Sequence, residues 1–367
     1  MRRWKPEQDR KHCLTHYGNI AQLAGIRRCL YLDGKATGIE AAEVNTGGGL
    51  EFTVLPGRGM DIANCRYCGI PISYLSKTGL TAPSYHDRRK SEWLRSFFAG
   101  MLTTCGISNA GPSCVDRHPF SGEVTYGLHG DISNTSADQV GIREDWTSDG
   151  YCLHVSGRVS EGRFNGLHLS MRRTISARLG EKSFRITDEY QNEGSIPEPL
   201  MFFYHINVGY PILDEGAYMV SASRKVWAKT ESSLAAIDSY QMCHGPAQDG
   251  KELQYFHEVM PDENGIATVA LINDKLQLGF YLKYSPEQLP CLAQWKVGRQ
   301  SEYVFAFEPG NCHPIGRAAQ RNIGQLEMLE PMQSRFVEME LGILDGEEEI
   351  LELKNVIKQN SCGGKGK

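Results

Sequence analysis

Four short stretches of this sequence interrupt an apolar pattern with groups able to bind a ligand or move a proton. In Met201-Phe202-Phe203-Tyr204-His205-Ile206-Asn207-Val208-Gly209-Tyr210-Pro211, His205 and Asn207 stand two apart in a strand-like run and share one face. Burying both is unfavourable without partners or a polar cleft. One such histidine is ordinarily a satisfied core residue; two polar groups side by side point to a site. In Tyr303-Val304-Phe305-Ala306-Phe307-Glu308-Pro309-Gly310-Asn311, three aromatics share a face and Glu308 points to the other, just before a Pro-Gly turn. A carboxylate beside an apolar wall has its pKa raised toward the range of a general base. The alternative is a solvated glutamate at a strand end. Tyr126-Gly127-Leu128-His129-Gly130-Asp131 sets His129 between small residues, open to a ligand or simply hydrogen-bonded at the surface. Pro56-Gly57-Arg58-Gly59-Met60-Asp61-Ile62 flanks Arg58 with glycines that let the backbone turn, with Asp61 in reach. A ligand contact and a structural Arg–Asp pair in a β-bulge are equally good readings.

The elements that must position these groups are strands. Leu167, Leu169 and Met171 alternate with polar neighbours; after Gly180-Glu181-Lys182, Phe184 and Ile186 do the same, which reads as a hairpin. Leu276, Leu278, Phe280 and Leu282 face one way and Lys275, Gln277, Tyr281 and Lys283 the other. Tyr303, Phe305 and Phe307 repeat the pattern, as do Val337, Met339 and Leu341. Strands this numerous, separated by Gly, Pro, Asn and Asp turns, call for two packed antiparallel sheets, an all-β sandwich. Helical signals are few: residues 91–101, with Ser91 as cap and Trp93, Phe97 and Met101 four apart; Ser232 to Met242; and part of 10–28, read as a short helix and an entry strand. Glu347-Glu348-Glu349 reads as a solvated turn before a last strand, Ile350 to Ile357. With no internal repeat and no Pro/Ser-rich linker, the expected organisation is one domain over 1–358 and a disordered tail over 359–367.

Composition narrows the functional classes. In 367 residues the formal net charge is −5, and no basic stripe appears, which argues against nucleic acid as a partner. The basic start, Met1-Arg2-Arg3-Trp4-Lys5-Pro6, is followed by Glu7, Gln8 and Asp9 rather than an apolar segment, so no secretory signal is expected. No apolar run is long enough to span a membrane. Eleven scattered cysteines fit reduced thiols in a cytoplasm better than a disulfide framework. Cys65 and Cys68 form a lone CxxC without the second pair that a structural zinc needs, and they read as two ordinary thiols.

Taken together and in order, GRGMDI, TTCGISNAG (103–111), LHGDISNTSAD, YHINVGYP and FEPGN followed by Gly316-Arg317 resemble the aldose 1-epimerase (galactose mutarotase) superfamily, nearest to its aldose-1-epimerase-related family. The resemblance runs from about Gly49 to Leu344 and implies a galactose mutarotase-like sandwich. It also implies roles. His129 matches the sugar-binding histidine, His205 the general acid in a strand of the form aromatic-His-x-Asn, and Glu308 the general base. The implied activity is cofactor-free mutarotation of an aldose or sugar derivative at its anomeric carbon. The Asn-Arg pair that mutarotases carry before the first histidine has no copy here, leaving Arg95 or Arg58 to supply the positive group. The sugar-binding aspartate is also without a clear match, Asp249 being the candidate. Asn207 and Asp61 complete the polar set, Trp295 is a candidate stacking platform or a core residue, and Arg317 either pairs with a carboxylate or reaches the ligand.

Two other functions suit the same scaffold. A metal-assisted sugar isomerase or lyase would use a divalent ion held by His129, His205, His257 and Glu308. A non-catalytic carbohydrate-binding protein would use the same trough without turnover. In each case the partner is a small sugar or sugar derivative.

Overall fold

The structure, a computed structural model, describes residues 6–363, with side chains through Asn360. Two antiparallel sheets dominate it. The first runs, from edge to edge, through Gly25–Leu30, Glu40–Asn45, Leu50–Leu55, Asp61–Tyr67, Leu102–Ile107, Met201–Val208, Glu302–Gly310, Cys291–Arg299, Glu252–Val259 and Ser223–Ala228. The second runs through Asp138–Thr147, Gly150–Gly162, His168–Arg178, Ser183–Asn192, Ser334–Asp345, Leu278–Tyr284, Ala267–Asn273 and Tyr218–Ser221. The expected 167–186 hairpin is present, with Ile175 opposite Ile186.

The alternation seen in the sequence is what glues the sheets together. Leu169, Met171, Phe184, Ile186, Phe280, Leu282, Val337, Met339 and Leu341 from the second sheet meet Phe52, Val54, Ile62, Leu102, Ile206, Phe305 and Phe307 from the first in one buried core. Phe52 stacks on Phe184 with centroids 4.5 Å apart, and Phe280 faces Phe307 at 6.4 Å. Each fully buried large apolar side chain contributes about 1.5–3 kcal/mol relative to exposure. Period two then dictates the rest: neighbours of these residues in the first sheet point outward, away from the second sheet. His205, Asn207 and Glu308 are such neighbours.

Several local expectations are corrected. Residues 91–101 do not form a helix. A single 3-10 turn, Glu92–Arg95, is followed by extended chain at Ala99–Gly100, and the Ser91 side chain makes no capping bond. Trp93 and Phe97 stack on each other at 4.9 Å because both cover the outer face of the first sheet. Leu276 lies in a turn before the strand, which begins at Leu278, and is exposed. The acidic run and the expected last strand are one helix, Glu347–Gly363. Three glutamates in the first turn suit the positive end of a helix, and Ile350, Leu353 and Ile357 have helical spacing. That helix continues through Asn360 to Gly363, where a disordered tail was expected; residues 364–367 lie outside the described ones. The 232–242 expectation resolves into two short turns, Glu231–Leu234 and Ile237–Ser239. Arg10–His16 is helical and Gly25–Leu30 is the entry strand. Among the described residues no helix is long and apolar enough to cross a membrane, Cys65 is a buried and Cys68 an exposed free thiol, and no group of three or more His, Cys, Asp or Glu side chains is disposed to hold a metal ion.

Candidate active site

The outward face of three adjacent strands builds the site. Met201–Val208 pairs with Glu302–Gly310 so that Asn207 opposes Ala306 and Ile206 opposes Phe307, and continuation of that register sets His205 beside Glu308. Cys291–Arg299 lies on the far side, with Ala293 opposite Glu308 and Trp295 opposite Ala306. Ala293 and Ala306 are small, so the sheet presents a hollow floor between larger walls.

His205 Nε2 lies 3.3 Å from Glu308 Oε1, with both side chains almost fully buried. The imidazole is walled by Phe97 at 5.1 Å, Trp295 edge-on at 5.0 Å and Phe203 at 6.1 Å. Gln254 Nε2 donates to Glu308 Oε2 at 3.4 Å, and Trp295 Nε1 donates to Glu252 at 2.7 Å. His129 completes the wall, edge-on to Phe203 at 5.1 Å and to Trp93 at 4.9 Å. The three residues singled out from the sequence therefore meet around one hollow.

His129 is held by backbone alone. Its N–H donates to the Gly111 carbonyl, its carbonyl accepts from Gly106 N–H, and its Nδ1 accepts from Gly111 N–H at 3.2 Å. With Nδ1 accepting, the ring proton sits on Nε2, which is left to donate to a ligand. His129 adopts φ 58°, a left-handed conformation that costs about 1–3 kcal/mol and persists where surroundings enforce it. The next residue has to be glycine: Gly130 has φ 68°, and a Cβ there would lie 2.2 Å from the Gly106 carbonyl oxygen. Glu161 pins the loop from beneath, accepting from Ile107 N–H at 3.0 Å.

Burial sets the proton affinities. It raises Glu308 to about 7, against the opposing pull of Lys229 and Gln254 and with help from Glu252. It lowers His205 to about 3, with Asn207 working the other way, and it holds His129 well below its usual range, assisted by His205 and Lys229. At neutral pH the imidazoles are neutral and the carboxylate is near its midpoint. The pair holds one exchangeable proton.

Of the remaining sequence candidates, Arg58, Asp61 and Arg317 are buried braces, Arg95 and Asp249 lie at the surface, and Asn207 and Trp295 stay at the site. Arg58 is completely buried and donates to the carbonyls of Ser133 at 2.6 Å, Ser96 at 3.2 Å and Thr81, with Phe98 beneath its guanidinium. Those three carbonyls belong to segments that frame the hollow, so Arg58 positions the wall rather than the ligand. Asp61 is not its hydrogen-bonding partner. Asp61 accepts from the N–H and hydroxyl of Thr104 and approaches Arg173 at 3.5 Å, inside the sandwich. Arg317 takes the carboxylate option: it bonds Asp116 at 2.7 Å and the Ser108 carbonyl, fully buried over Tyr126. Arg95 is exposed and pairs with Glu92. Asp249 sits in an exposed turn. Asn207 stays beside the pair, donating to the carbonyls of His205 and Ala99, with its own Oδ1 buried and without a partner among the described residues. Trp295 is a wall of the site, where core packing had been the other expectation.

His257 cannot join a metal set with His129, His205 and Glu308. It pairs opposite Leu292, whereas Glu308 pairs opposite Ala293, one residue out of phase and therefore on the other face of the sheet. There it bonds Gln294 at 3.1 Å and Ser223 at 3.0 Å. The four-ligand donor set does not fit. Sequence reasoning missed Lys229, Glu252, Gln254 and His313, all contributed by the distal strands and their loops. Glu252 and Gln254 had the two-residue spacing of a shared face, but nothing local tells which strand lies next to them.

Residues 36–343 match the model of a family described as Domain of unknown function (DUF4432). No curated protein matches the chain. Among solved structures, it is similar to a candidate aldose 1-epimerase from Klebsiella pneumoniae subsp. pneumoniae MGH 78578, at 24% identity and a TM-score of 0.85, covering 92% of this chain and 87% of that one. It is similar also to a galactose mutarotase-like protein from Clostridium acetobutylicum, at 14% identity and a TM-score of 0.63, covering 88% and 99%. A galactose 1-epimerase from Lactobacillus acidophilus NCFM shows 12% identity and a TM-score of 0.58, covering 88% and 100%. At these identities the likeness is one of fold, and the sandwich is of the galactose mutarotase-like kind. The chain belongs to the DUF4432 family.

Proposed function

We propose that this protein is an isomerase that interconverts the anomers of a sugar or sugar derivative by acid–base catalysis, without a cofactor. The observation that carries this reading is the 3.3 Å pairing of His205 with Glu308 at the floor of an aromatic-walled hollow. One member of the pair takes the proton from the hydroxyl on C1 while the other delivers a proton to the ring oxygen. The bond between C1 and the ring oxygen breaks, giving the open-chain aldehyde. Rotation about C1–C2 exposes the other carbonyl face, and closure returns both protons with the roles reversed. A pair that holds one proton meets the needs of both halves of the cycle. The resemblance assigns the acid to His205 and the base to Glu308, whereas burial, which lowers His205 and raises Glu308, favours the proton resting on Glu308 in the empty site. The two assignments differ only in where one shared proton starts, and polar hydroxyls entering the hollow stabilise the charged form. His129 Nε2–H would hold a sugar oxygen, and Trp295 and Phe97 would cover the apolar face of the ring.

Exchange-sensitive NMR of anomeric resonances, run over a panel of aldoses, ketoses and uronates, tests the reading. The expected result is enzyme-dependent exchange for at least one sugar that disappears in Glu308→Gln while binding persists. Binding without exchange in the wild-type protein would leave a carbohydrate-binding protein instead.

A further inference from the structure

One end of the hollow carries a cation that the anomeric chemistry does not use. Lys229 follows the edge strand Ser223–Ala228, and its backbone N–H donates to the Gln254 carbonyl. Gln254 opposes Trp295, and Trp295 opposes Ala306. In the adjacent row Trp227 opposes Phe256, Phe256 opposes Ala293, and Ala293 opposes Glu308. Lys229 therefore shares the site's face and stands three strand spacings, about 14 Å across the sheet, and one row along from Glu308. Both side chains project from that face, and each is near enough for its charge to act on the other.

The ammonium is only partly engaged. Lys229 Nζ donates to the Pro314 carbonyl at 3.2 Å, and among the described residues no carboxylate comes within ion-pair distance of it. Burial lowers its pKa, and Glu308 and Glu252 act from farther away to raise it. Next to Pro314, His313 packs on Phe256 at 4.3 Å and on Trp227 at 5.6 Å, with its Nδ1 buried and unpartnered among the described residues. Farther along the strand, Lys225 lies over Trp227 at 5.4 Å. A cation with spare N–H groups and an unsatisfied imidazole nitrogen, opposite the proton-transfer pair, form a receptor for an anion.

We propose that the substrate carries a carboxylate at the end away from its anomeric carbon, a hexuronate-type sugar, received by Lys229 with His313 beside it. This rests on the proton-transfer reading above and names the class of sugar for it. A carboxylate suits the site better than a phosphate. A single lysine is a point charge without the fork of donors that doubly charged groups usually recruit, and Glu252 and Glu308 oppose a second negative charge.

The test compares one hexopyranose, its hexuronate and its 6-phosphate in anomeric exchange by NMR, and in binding to Glu308→Gln by calorimetry. Wild-type kcat/KM is expected to favour the uronate over the neutral sugar at least 10-fold. Lys229→Met should abolish most of that preference, a loss of about 10-fold, mainly through KM, and Lys229→Arg should restore part of it. Preference for the neutral or phosphorylated sugar, or a Lys229→Met variant that lowers all three equally, as loss of a mere counter-ion to Glu308 would, overturns the proposal. If no sugar is exchanged yet the uronate binds in a Lys229-dependent way, the catalytic reading fails and the anion receptor stands. Exchange of neutral sugars alone gives the reverse.

Discussion

The outward face of the first sheet pairs opposite charges both at one edge and in its middle, and the two places behave differently. At the N-terminal end, Arg27 pairs with Glu43 at 3.1 Å with side chains 81% and 48% exposed. They line the molecule's more voluminous groove, about 570 Å³, together with Glu51, Thr53, Asn64 and Arg66. On the middle strands His205 and Glu308 touch at a similar distance with 7% and 2% exposure. The neighbouring groove along Trp295 and Phe97 is about 270 Å³. Distance and volume therefore do not separate a site from a surface. Water does. Where it screens both partners, an ion pair is worth about 0–1 kcal/mol and the groups stay ordinary. Where aromatic walls exclude it, the same chemistry shifts proton affinities into the range where catalysis operates.

The strongest way to break the comparison is Glu308→Gln, which keeps the shape and removes the titration. Turnover should fall about 10²–10⁴-fold, read as the anomeric exchange rate; a loss below 10-fold would make the buried pair as idle as the exposed one. Arg58→Leu comes next. Removing a buried guanidinium strips donors from three carbonyls and should destabilise the fold by about 3 kcal/mol in urea unfolding. Trp295→Ala should raise KM about 10-fold with a smaller change in kcat, since it opens the wall without touching the proton path. Arg27→Ala should change stability by less than about 1 kcal/mol and turnover not at all.

The pH dependence sharpens the same contrast. Burial raises Glu308 from 4.5 to about 7, so the folded state holds that proton more tightly than the unfolded chain. The associated stability is complete below about 4.5 and is lost as pH rises through about 7. Thermal melts should therefore show wild-type protein losing stability relative to Glu308→Gln between pH 5 and pH 8, about the interval set by linkage.

Much of this was readable from residue order. The parity of His205 and Asn207, and of Glu308 against Phe305 and Phe307, follows from the two-residue period of a strand and needs no knowledge of neighbours. Arg58, Asp61 and Arg317 were placed in the right motifs, with structural pairing and ligand contact left equally open. Only the fold reveals whether a guanidinium meets carbonyls or a ligand, as with the carbonyls of Thr81, Ser96 and Ser133. His257 failed for another reason: its phase relative to Glu308 could not be read, because register between distant strands is set by pairing. Lys229 and His313 lie in loops at the far edge, where no local period exists to mark them. The acidic run at Glu347 misled because three charges before Ile350 suit a turn as well as a helix start, and the spacing of Ile350, Leu353 and Ile357 decides for the helix.

Labelling the glutamate carboxyls with ¹³C and following them by NMR against pH, beside the exchange rate over the same range, puts the account to its plainest test. One resonance, absent from Glu308→Gln, should titrate at about 7 and turnover should decline with the same midpoint. A Glu308 carboxyl that titrates with the exposed glutamates, or turnover indifferent to its protonation, would mean that the dry hollow does not tune the pair and that the proton transfer assigned to it lies elsewhere.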